Sequence, residues 1–539
     1  MLQLRKDKQD IKKEEFFMHW AFEIAETLIK QQTDPKSKIT CASGVSPSGY
    51  IHVGNFREIA TTYFVTKALT LLGANPRYIL SWDDYDRLRK IPQNVTGVSK
   101  ENIGMPYTKV APPTKDTSAS SYGNYFEQLF INDLEKMAVK PEFIYETKAY
   151  ENGNYDQEIA LVLTKRQEIY DILSRFRSEK ADEEERENYY PISLYCDNCY
   201  HDTTTITCYD ETTRTIFYTC QHCQHVGQQT IGQKQRIKLH WKIDWPMRWQ
   251  YEKVAFEPGG KDHSSKNGSF DVAKTIAKEI FNWHAPMYQP YDFVNIKGQT
   301  KKMSSSTGNI LTLPDLLSIY TPELVFYLYG KYQPKAQFDL GLDDDVLRNY
   351  AEFERLVSKA KAGNLDETNL QLLQLSGANL TEKYPEFGHV VSILALTANN
   401  ITLAQEILEK EASYTKEAIA YILPRAQYWI ENDAKNRLIT ICDTKNVPFY
   451  QTLSPNLKQQ IKKFRQLLPN AAKLTDEEFM QQIYDLSSTT DKKEMREAQK
   501  ALFAALYQLT LNQDHGPRIP LLIKAIGINK LDQLLSFEG

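Results

Sequence analysis

The chain has 539 residues, of which 41% are hydrophobic and 25% are charged, and its formal net charge is −4. This composition excludes a wholly disordered or collagen-like chain, and the charge excludes a uniformly basic coat for nucleic acid. No window approaches the run of about 20 apolar residues that a membrane helix needs, and the charged start of the chain does not resemble a signal peptide. We therefore expect a cytoplasmic protein without a membrane anchor, in which a monomer is favoured.

The first part of the chain predicts the beginning of a parallel α/β sheet. Residues 14–30 have the pattern of a helix, and SKITCASG at 37–44 predicts a buried strand that enters a Pro/Ser/Gly turn. The stretch from Asn55 to Gly73 has helical apolar spacing, and PRYILSW predicts a second strand. This β–turn–α–β order is typical of the first half of a nucleotide-binding, Rossmann-type domain.

Residues 91–235 predict an insertion into that domain. The part rich in Pro, Ser and Thr, 91–125, predicts an irregular excursion, and helices are expected over 126–180. The segment 190–230 then holds five of the seven cysteines. An odd number of cysteines in a chain without a secretion signal argues against a disulfide framework.

The clustered cysteines predict a structural zinc site. Two CxxC pairs lie twenty residues apart: Cys196 with Cys199, and Cys220 with Cys223. Four thiolates at about 2.3 Å satisfy tetrahedral zinc and leave no open position for catalysis. The segment between the pairs alternates like a β-hairpin, as in a zinc ribbon. Three neighbours are alternative ligands: Cys208, His222 and His225.

The rest of the chain predicts the second half of the sheet and then helices. KLHWKIDWPMRW and VAFEPGGKDH have strand-like character, YDFVNIKG predicts a further strand, and KKMSSSTGN a loop. After about residue 345, glycine becomes sparse and the apolar spacing turns helical. We predict three parts: a Rossmann-type catalytic domain over 1–90 and 236–345 with its loop region at 297–345, the insertion 91–235 with a zinc ribbon at 190–230, and an all-α domain over 346–539.

Two segments together point to phosphate chemistry. In PSGYIHVGN, His52 and Asn55 lie three residues apart at a helix start, where backbone N–H groups attract anions. Gly54 would let a flat base approach the backbone. KKMSSSTGN adds two ammonium groups and several hydroxyls that suit a polyphosphate. Either segment alone is a weak signal, but the pair in this order is much less expected by chance.

These two segments resemble the HIGH and KMSKS motifs of the class I aminoacyl-tRNA synthetases, and the closest resemblance is to the class I lysyl-tRNA synthetases. The same family is indicated by SWDDYDRLRKIP, the paired CxxC motifs, HWKIDWPMRW and EPGGKDHSSKNGS, in the expected order over residues 37–310. The resemblance implies that L-lysine is activated with ATP and Mg²⁺ to lysyl-adenylate and transferred to tRNA(Lys). It also implies that the zinc ribbon lies near the acceptor stem and that the helical domain binds the anticodon.

The resemblance implies roles for individual residues. The catalytic residues would be His52, Asn55 and Lys302. The ATP site would comprise Pro47, Gly49, His52, Gly54, Asn55, Gly260, Lys301, Lys302, Ser304 and Ser305. The amino acid would lie among Gly44, Ser46, Trp241, His263 and Tyr291. The sequence departs from the family pattern at Ser305, which stands where KMSKS has its second lysine.

A cationic substrate side chain requires a carboxylate or aromatic faces in its pocket. Three aspartates are candidates for the ammonium partner: Asp84, Asp86 and Asp262. Among the tryptophans that recur four residues apart, Trp241, Trp245 and Trp249, we expect two to be core residues. The basic stretch 461–474 suits either a solvated helix face or contact with phosphates.

Three alternative functions compete with a lysine–tRNA ligase. The first is another class I synthetase, for glutamate, glutamine, cysteine or arginine. The second is a non-catalytic tRNA-binding paralogue, against which the intact His52, Asn55 and Lys302 argue. The third is a small-molecule nucleotidyltransferase, which would need no appended helical domain. The requirement for tRNA as acceptor separates the last alternative from a ligase.

Overall fold

The computed structural model describes residues 18–177, 182–233, 236–298, 303, 310–397, 399–411 and 414–537. The predicted loop residues Lys301, Lys302, Ser304 and Ser305 lie outside these ranges. The strands are β1 (Lys38–Val45), β2 (Asn75–Trp82), β3 (Glu142–Tyr145), β4 (Ile192–Leu194), β5 (Thr204–Asp210), β6 (Thr215–Cys220), β7 (Val226–Thr230), β8 (Ile237–Leu239), β9 (Val254–Gly260), β10 (Met287–Tyr291), β11 (Val294–Ile296) and β12 (Phe338–Leu340).

The helices of the first two thirds are α1 (Trp20–Lys30), α2 (Val53–Leu71), α3 (Tyr122–Lys136), α4 (Glu146–Glu151), α5 (Asp156–Thr164), α6 (Arg166–Ser174), α7 (Glu183–Glu187), α8 (Trp241–Glu252), α9 (Ser269–Glu279), α10 (Leu313–Leu317), α11 (Pro322–Gly330), α12 (Asp345–Lys361) and α13 (Glu367–Ser376). The later helices are α14 (Phe387–Leu396), α15 (Ile401–Lys410), α16 (Lys416–Asn432), α17 (Val447–Thr452), α18 (Pro455–Leu467), α19 (Asp476–Asp485), α20 (Lys492–Leu511), α21 (Ile519–Ile526) and α22 (Ile528–Leu535). No described helix combines the length and apolar character needed to cross a bilayer.

The central sheet has five parallel strands in the order β10–β9–β1–β2–β3. The register of β1 against β2 runs from Lys38 opposite Asn75 to Val45 opposite Trp82. The chain leaves β1 towards β2 on one side, while β9 pairs with β1 on the other side. The strand order therefore reverses between β1 and β9, and a crevice opens there at the carboxyl ends of the strands. The predicted parallel α/β fold is confirmed, but the expectation of helices throughout 126–180 is wrong at β3, which pairs with β2 as the edge strand of this sheet.

The predicted strand character of KLHWKIDWPMRW is wrong for most of that segment. Only β8 (Ile237–Leu239) is extended, and helix α8 begins at Trp241. The physical reason is the four-residue spacing of the tryptophans, which places all three on one helix face. The rings of Trp241 and Trp245 stack with centroids 5.0 Å apart, and the Trp249 ring is tilted against Trp245 with centroids 4.9 Å apart.

The cysteine-rich segment forms a separate three-stranded antiparallel sheet in the order β5–β6–β7. Strands β5 and β6 pair from Thr204 opposite Cys220 to Asp210 opposite Thr215, with one irregularity near Cys208. The predicted hairpin between the two CxxC pairs is confirmed.

The chain divides into two compact units. The first comprises the described residues up to Leu316 together with Pro322–Gly341 and Leu356–Ala378, and it contains the parallel sheet and the cysteine-rich sheet. The second comprises Leu317–Thr321, Leu342–Arg355 and the described residues from Asn379 onwards, and its C-terminal region is helical. The predicted boundaries near residues 90, 235 and 345 remain a prediction.

Aromatic side chains build part of the core of the second unit. The rings of Tyr350 and Phe387 stack with centroids 3.9 Å apart, and Phe387 lies 5.9 Å from Trp429. The Trp429 indole donates a hydrogen bond to the Leu342 carbonyl at 2.7 Å. This satisfies the polar atom of a side chain that is otherwise fully buried.

Candidate active site

A cavity of about 500 Å³ lies at the crevice between β1 and β9. Eight predicted site residues line it: Gly44, Ser46, Gly49, Asn55, Asp86, Trp241, His263 and Tyr291. Six other predicted residues are described but are not part of its lining: Pro47, His52, Gly54, Asp84, Gly260 and Asp262. The structure thus brings predicted residues from both halves of the sheet to the place where parallel α/β sheets bind ligands.

The turn after β1 places His52 and Asn55 at the start of α2. The Nδ1 atom of His52 accepts a hydrogen bond from the Gly54 N–H at 3.0 Å, and the Asn55 side chain accepts one from the His52 N–H at 3.4 Å. A Cβ atom at Gly54 would lie only 2.8 Å from the His52 ring. Glycine is therefore needed here for the capping geometry itself. The capped N-terminus of this 19-residue helix carries the partial positive charge that favours phosphate.

Glu58 is a cavity residue that sequence reasoning missed. Its two carboxylate oxygens accept hydrogen bonds from the Gly44 N–H and the Tyr291 hydroxyl, both at 2.8 Å. Burial raises the pKa of Glu58 to about 8, and the nearby Glu257 carboxylate contributes to that rise. Glu58 ties the end of β1 to the end of β10, and so fixes two predicted amino-acid contacts relative to each other.

Glu257 on β9 is the second carboxylate that sequence reasoning missed. Its oxygens accept hydrogen bonds from the indole N–H groups of Trp245, at 3.1 Å, and of Trp249. Both indoles are buried, whereas Trp241 is 36% exposed, as expected for two core tryptophans out of three. Burial raises the pKa of Glu257 to about 7. No pattern in a single sequence pairs an acidic residue on one strand with the indoles of the preceding helix.

Arg248 on α8 is the centre of a buried ion network beside the cavity. Its guanidinium lies 3.0 Å from Asp83, 3.1 Å from Glu146 and 2.8 Å from Asp244. Lys238 adds a second cation, 2.9 Å from Asp244. Burial opposes ionisation of Asp244, but Arg248 and Lys238 together hold its pKa below the usual range. The charged form of each buried group in the network is therefore stabilised by its ion-pair partners.

The three aspartates proposed as ammonium partners have different surroundings. Asp84 is 3% exposed and accepts the backbone N–H of Thr147 at 2.7 Å, so it fixes the start of α4 away from the cavity lining. Asp86 lines the cavity and lies 3.4 Å from the Lys238 ammonium. Asp262 lies in a short 3₁₀ turn after β9. Of the three, only Asp86 is in the lining.

The four predicted metal ligands form one cluster, in which all sulfur atoms lie within 4.8 Å of one another. The Sγ atoms of Cys196 and Cys223 are 3.7 Å apart, and those of Cys199 and Cys220 are 3.6 Å apart. Tetrahedral thiolates around zinc have sulfur atoms separated by about 3.8 Å. The cluster has the dimensions of a metal site and is too open for disulfides.

The two CxxC turns repeat one backbone pattern. In the first, the Tyr200 N–H donates to the Cys196 carbonyl at 3.0 Å; in the second, the Gln224 N–H donates to the Cys220 carbonyl at 2.9 Å. Tyr200 and Gln224 both have a positive φ, of 63° and 59°. Matching turns direct all four thiols to one point, so these residues could hold a single metal ion. Of the predicted alternative ligands, Cys208 is exposed, and neither His222 nor His225 belongs to the cluster.

Comparison with known proteins identifies the family. The model of the family described as tRNA synthetases class I (K) matches residues 18–378. The lysine–tRNA ligase of Treponema pallidum is 34% identical, covering 96% of this chain and 98% of that protein. The ligases of Borreliella burgdorferi and Thermococcus kodakarensis are 33% and 31% identical, covering 96% and 97% of this chain and 99% and 100% of those proteins. The resemblance predicted from the motifs is thereby confirmed: the chain belongs to the class I lysyl-tRNA synthetases.

Proposed function

We propose that the cavity between β1 and β9 is where the chain, a lysine–tRNA ligase, activates L-lysine with ATP before transferring it to tRNA(Lys). The observation that carries this proposal is the charge of the cavity. Within the described part of the chain, the carboxylates of Glu58 and Glu257 line it without an ion-pair partner, and Arg248 is already shared among three acids. The other cations of the lining, Arg89 and Lys90, form no ion pair with either carboxylate. A substrate with two ammonium groups supplies the missing positive charge.

The proposed reaction needs no protein nucleophile. In the first step, a carboxylate oxygen of lysine forms a bond to the α-phosphorus of ATP, and the bond to pyrophosphate breaks. In the second step, a terminal ribose hydroxyl of tRNA bonds to the lysyl carbonyl carbon and loses its proton, and AMP leaves. The protein contributes orientation and stabilisation of charge on phosphate oxygens.

The phosphate side of the site is assigned to α2 and the predicted loop. The N–H groups and positive dipole end of α2, with His52 and Asn55, would contact the ATP phosphates, and Lys302 would stabilise the leaving pyrophosphate. The remaining ATP contacts are proposed for Pro47, Gly49, Gly54, Gly260, Lys301, Ser304 and Ser305. Mg²⁺ would accompany ATP as part of the substrate complex.

The amino-acid side is assigned to the other lining residues. Gly44, Ser46, Trp241, His263 and Tyr291 all face the same cavity as Glu58 and Glu257, which supports their proposed contact with lysine. Asp84 does not line this cavity, and its carboxylate accepts the Thr147 N–H, so we propose a structural role for it. For tRNA, the cysteine-rich sheet is proposed to lie near the acceptor stem and the helical C-terminal region to bind the anticodon.

The four-cysteine cluster is proposed to hold one structural zinc ion, which would link the two turns without taking part in catalysis. Replacement of Cys199 with serine should reduce zinc from about one ion per chain to a small fraction, because a neutral hydroxyl is a poor ligand for zinc. Elemental analysis of the purified variant measures this. The control is Cys208→Ser, which alters an exposed thiol outside the cluster. Full zinc content in Cys199→Ser would contradict the four-thiolate site.

Lysine binding should strengthen as pH rises from 6 to 8. The pKa values of Glu257 and Glu58 are raised to about 7 and about 8, so both acids are largely neutral at pH 6 and ionise over this interval. Asp83 faces both carboxylates and Arg248 faces Glu257. Since the ammonium groups stay charged throughout, the KM for lysine should fall by at least about tenfold. A KM that is constant over this range, at saturating ATP and tRNA, would contradict the proposed cation site.

The proposed function is tested by charging total tRNA with each labelled amino acid in the presence of ATP and Mg²⁺. We expect charging with lysine alone. Charging with glutamate, cysteine or arginine would preserve the ATP site but overturn the amino-acid assignments. Absence of charging by folded, zinc-loaded protein would favour a tRNA-binding paralogue. Pyrophosphate exchange without tRNA is a poorer first test, because an enzyme that requires tRNA for activation would show no activity in it.

A further inference from the structure

We propose that Glu257 is the specificity-determining carboxylate that binds the ε-ammonium group of the substrate lysine. This inference rests on the proposed function and extends it, because the sequence alone offered only Asp84, Asp86 and Asp262 as partners for the ammonium group.

Glu257 lies at an apolar part of the cavity wall. The residues Ala42, Ile79, Val254, Trp245 and Trp249 belong to one hydrophobic cluster, and all of them also line the cavity. The carboxylate is attached to this wall through the indole N–H groups of the two tryptophans. A chain of four methylenes that ends in a cation requires this combination, an apolar wall with a carboxylate fixed on it.

The hydrogen bonds of Glu257 orient its carboxylate without neutralising it. Indole N–H groups are neutral donors, and Glu257 is only 8% exposed, so water does little to stabilise its negative charge. Among the described residues, no cation lies within ion-pair distance of Glu257. A bound ammonium would provide that partner, and the faces of the neighbouring tryptophans would favour the same cation.

The other acids of the cavity lining are already engaged. Asp83 pairs with Arg248 at 3.0 Å, and Asp86 lies 3.4 Å from Lys238. Glu252 pairs with Arg77 at 2.7 Å. These three carboxylates have cationic partners within the protein, which leaves Glu257 and Glu58.

Glu58 is placed for the opposite end of the substrate. It lies on α2 one turn after Asn55, close to the helix start that is assigned to the phosphates. Its carboxylate contacts the Gly44 N–H and the Tyr291 hydroxyl rather than an apolar wall. This position suits the α-ammonium group, which adjoins the carboxylate that is activated. The two carboxylates therefore divide the two ammonium groups of lysine between them.

The experiment compares lysine with L-norleucine, which has the same four-carbon side chain without the ε-ammonium. In Glu257→Gln, kcat/KM for lysine in tRNA charging should fall by about 100-fold, while the inhibition constant of norleucine should change by less than about threefold. If the carboxylate only positioned the tryptophans, its replacement would weaken the binding of both compounds equally, and that result would overturn the assignment. Retained preference for lysine over norleucine would also overturn it.

Glu58→Gln is the matched control, because it makes the same change from acid to amide at the other unpaired carboxylate. This substitution should weaken the binding of lysine and of norleucine alike, since both compounds carry the α-ammonium. Loss of the discrimination in Glu58→Gln but not in Glu257→Gln would overturn the assignment in favour of Glu58. If Glu257→Gln does not fold, Glu257→Asp provides the test, because it keeps the charge and should retain most of the discrimination. A wild-type protein that cannot charge tRNA with lysine would overturn the proposed function itself, whereas the outcomes above concern Glu257 alone.

Discussion

Replacement of Lys302 with alanine should lower the rate of lysyl-adenylate formation by about 10³-fold. Negative charge accumulates on the departing pyrophosphate in the transition state, and an ammonium group placed against it stabilises that state more than the bound substrates. The KM for lysine should therefore change by less than about threefold. Single-turnover formation of lysyl-tRNA at saturating lysine, ATP and tRNA measures the rate.

Lys301→Ala is the matched control for Lys302→Ala, because it removes the same group one position earlier in the same sequence motif. We expect a reduction of less than about tenfold, which corresponds to roughly 1.4 kcal/mol of lost transition-state stabilisation. A larger effect at Lys301 than at Lys302 would shift the motif alignment by one residue. Unchanged turnover in Lys302→Ala would contradict its proposed role.

Replacement of Arg248 with methionine should destabilise the protein by about 3–5 kcal/mol. The variant keeps most of the side-chain volume but leaves Asp83, Glu146 and Asp244 buried near one another with less positive charge. Urea unfolding, followed by tryptophan fluorescence and compared at equal protein concentration, measures the loss. The three tryptophans of α8 lie beside the substitution, so the signal reports on this part of the protein.

Arg77→Met separates the effect of burial from the effect of removing an arginine with two acidic partners. Arg77 pairs with Glu142 at 2.6 Å and Glu252 at 2.7 Å, but the Glu142 side chain is 54% exposed. Water can stabilise Glu142 after the substitution, but the Glu252 side chain is only 11% exposed, so we expect a cost of about 1–2 kcal/mol, smaller than that of Arg248→Met. Equal costs for the two variants would contradict the claim that the Arg248 network depends on burial.

The elements that sequence reasoning predicted well depend on local patterns. The order β1–turn–α2–β2 follows from apolar spacing and a turn within 45 residues of sequence, and the paired CxxC turns follow from two short repeats. The family resemblance rests on the same kind of contiguous motif. In contrast, β10 was not predicted, because Met287–Tyr291 is too short and too polar at its centre to give a clear strand pattern.

The carboxylates of the site show why its other residues could not be predicted from the sequence. Asp83 and Asp84 are adjacent at the end of β2, where successive side chains point to opposite sides. Asp83 lines the cavity, whereas Asp84 binds the Thr147 N–H; a single sequence does not specify which of two neighbours faces the ligand. Glu58 and Glu257 are nearly 200 positions apart, and only the pairing of β1 with β9 brings them to one cavity.

The Arg248 network also joins residues 91–235 to helix α8. Glu146, which pairs with Arg248, and Tyr150, whose hydroxyl donates a hydrogen bond to Asp244, both belong to that segment. Arg248 and Asp244 belong to α8, which carries the tryptophans of the cavity wall. The segment is therefore no detachable accessory: a chimaera that exchanged it between relatives would need to exchange α8 with it, and the two should be inherited and engineered as a single piece.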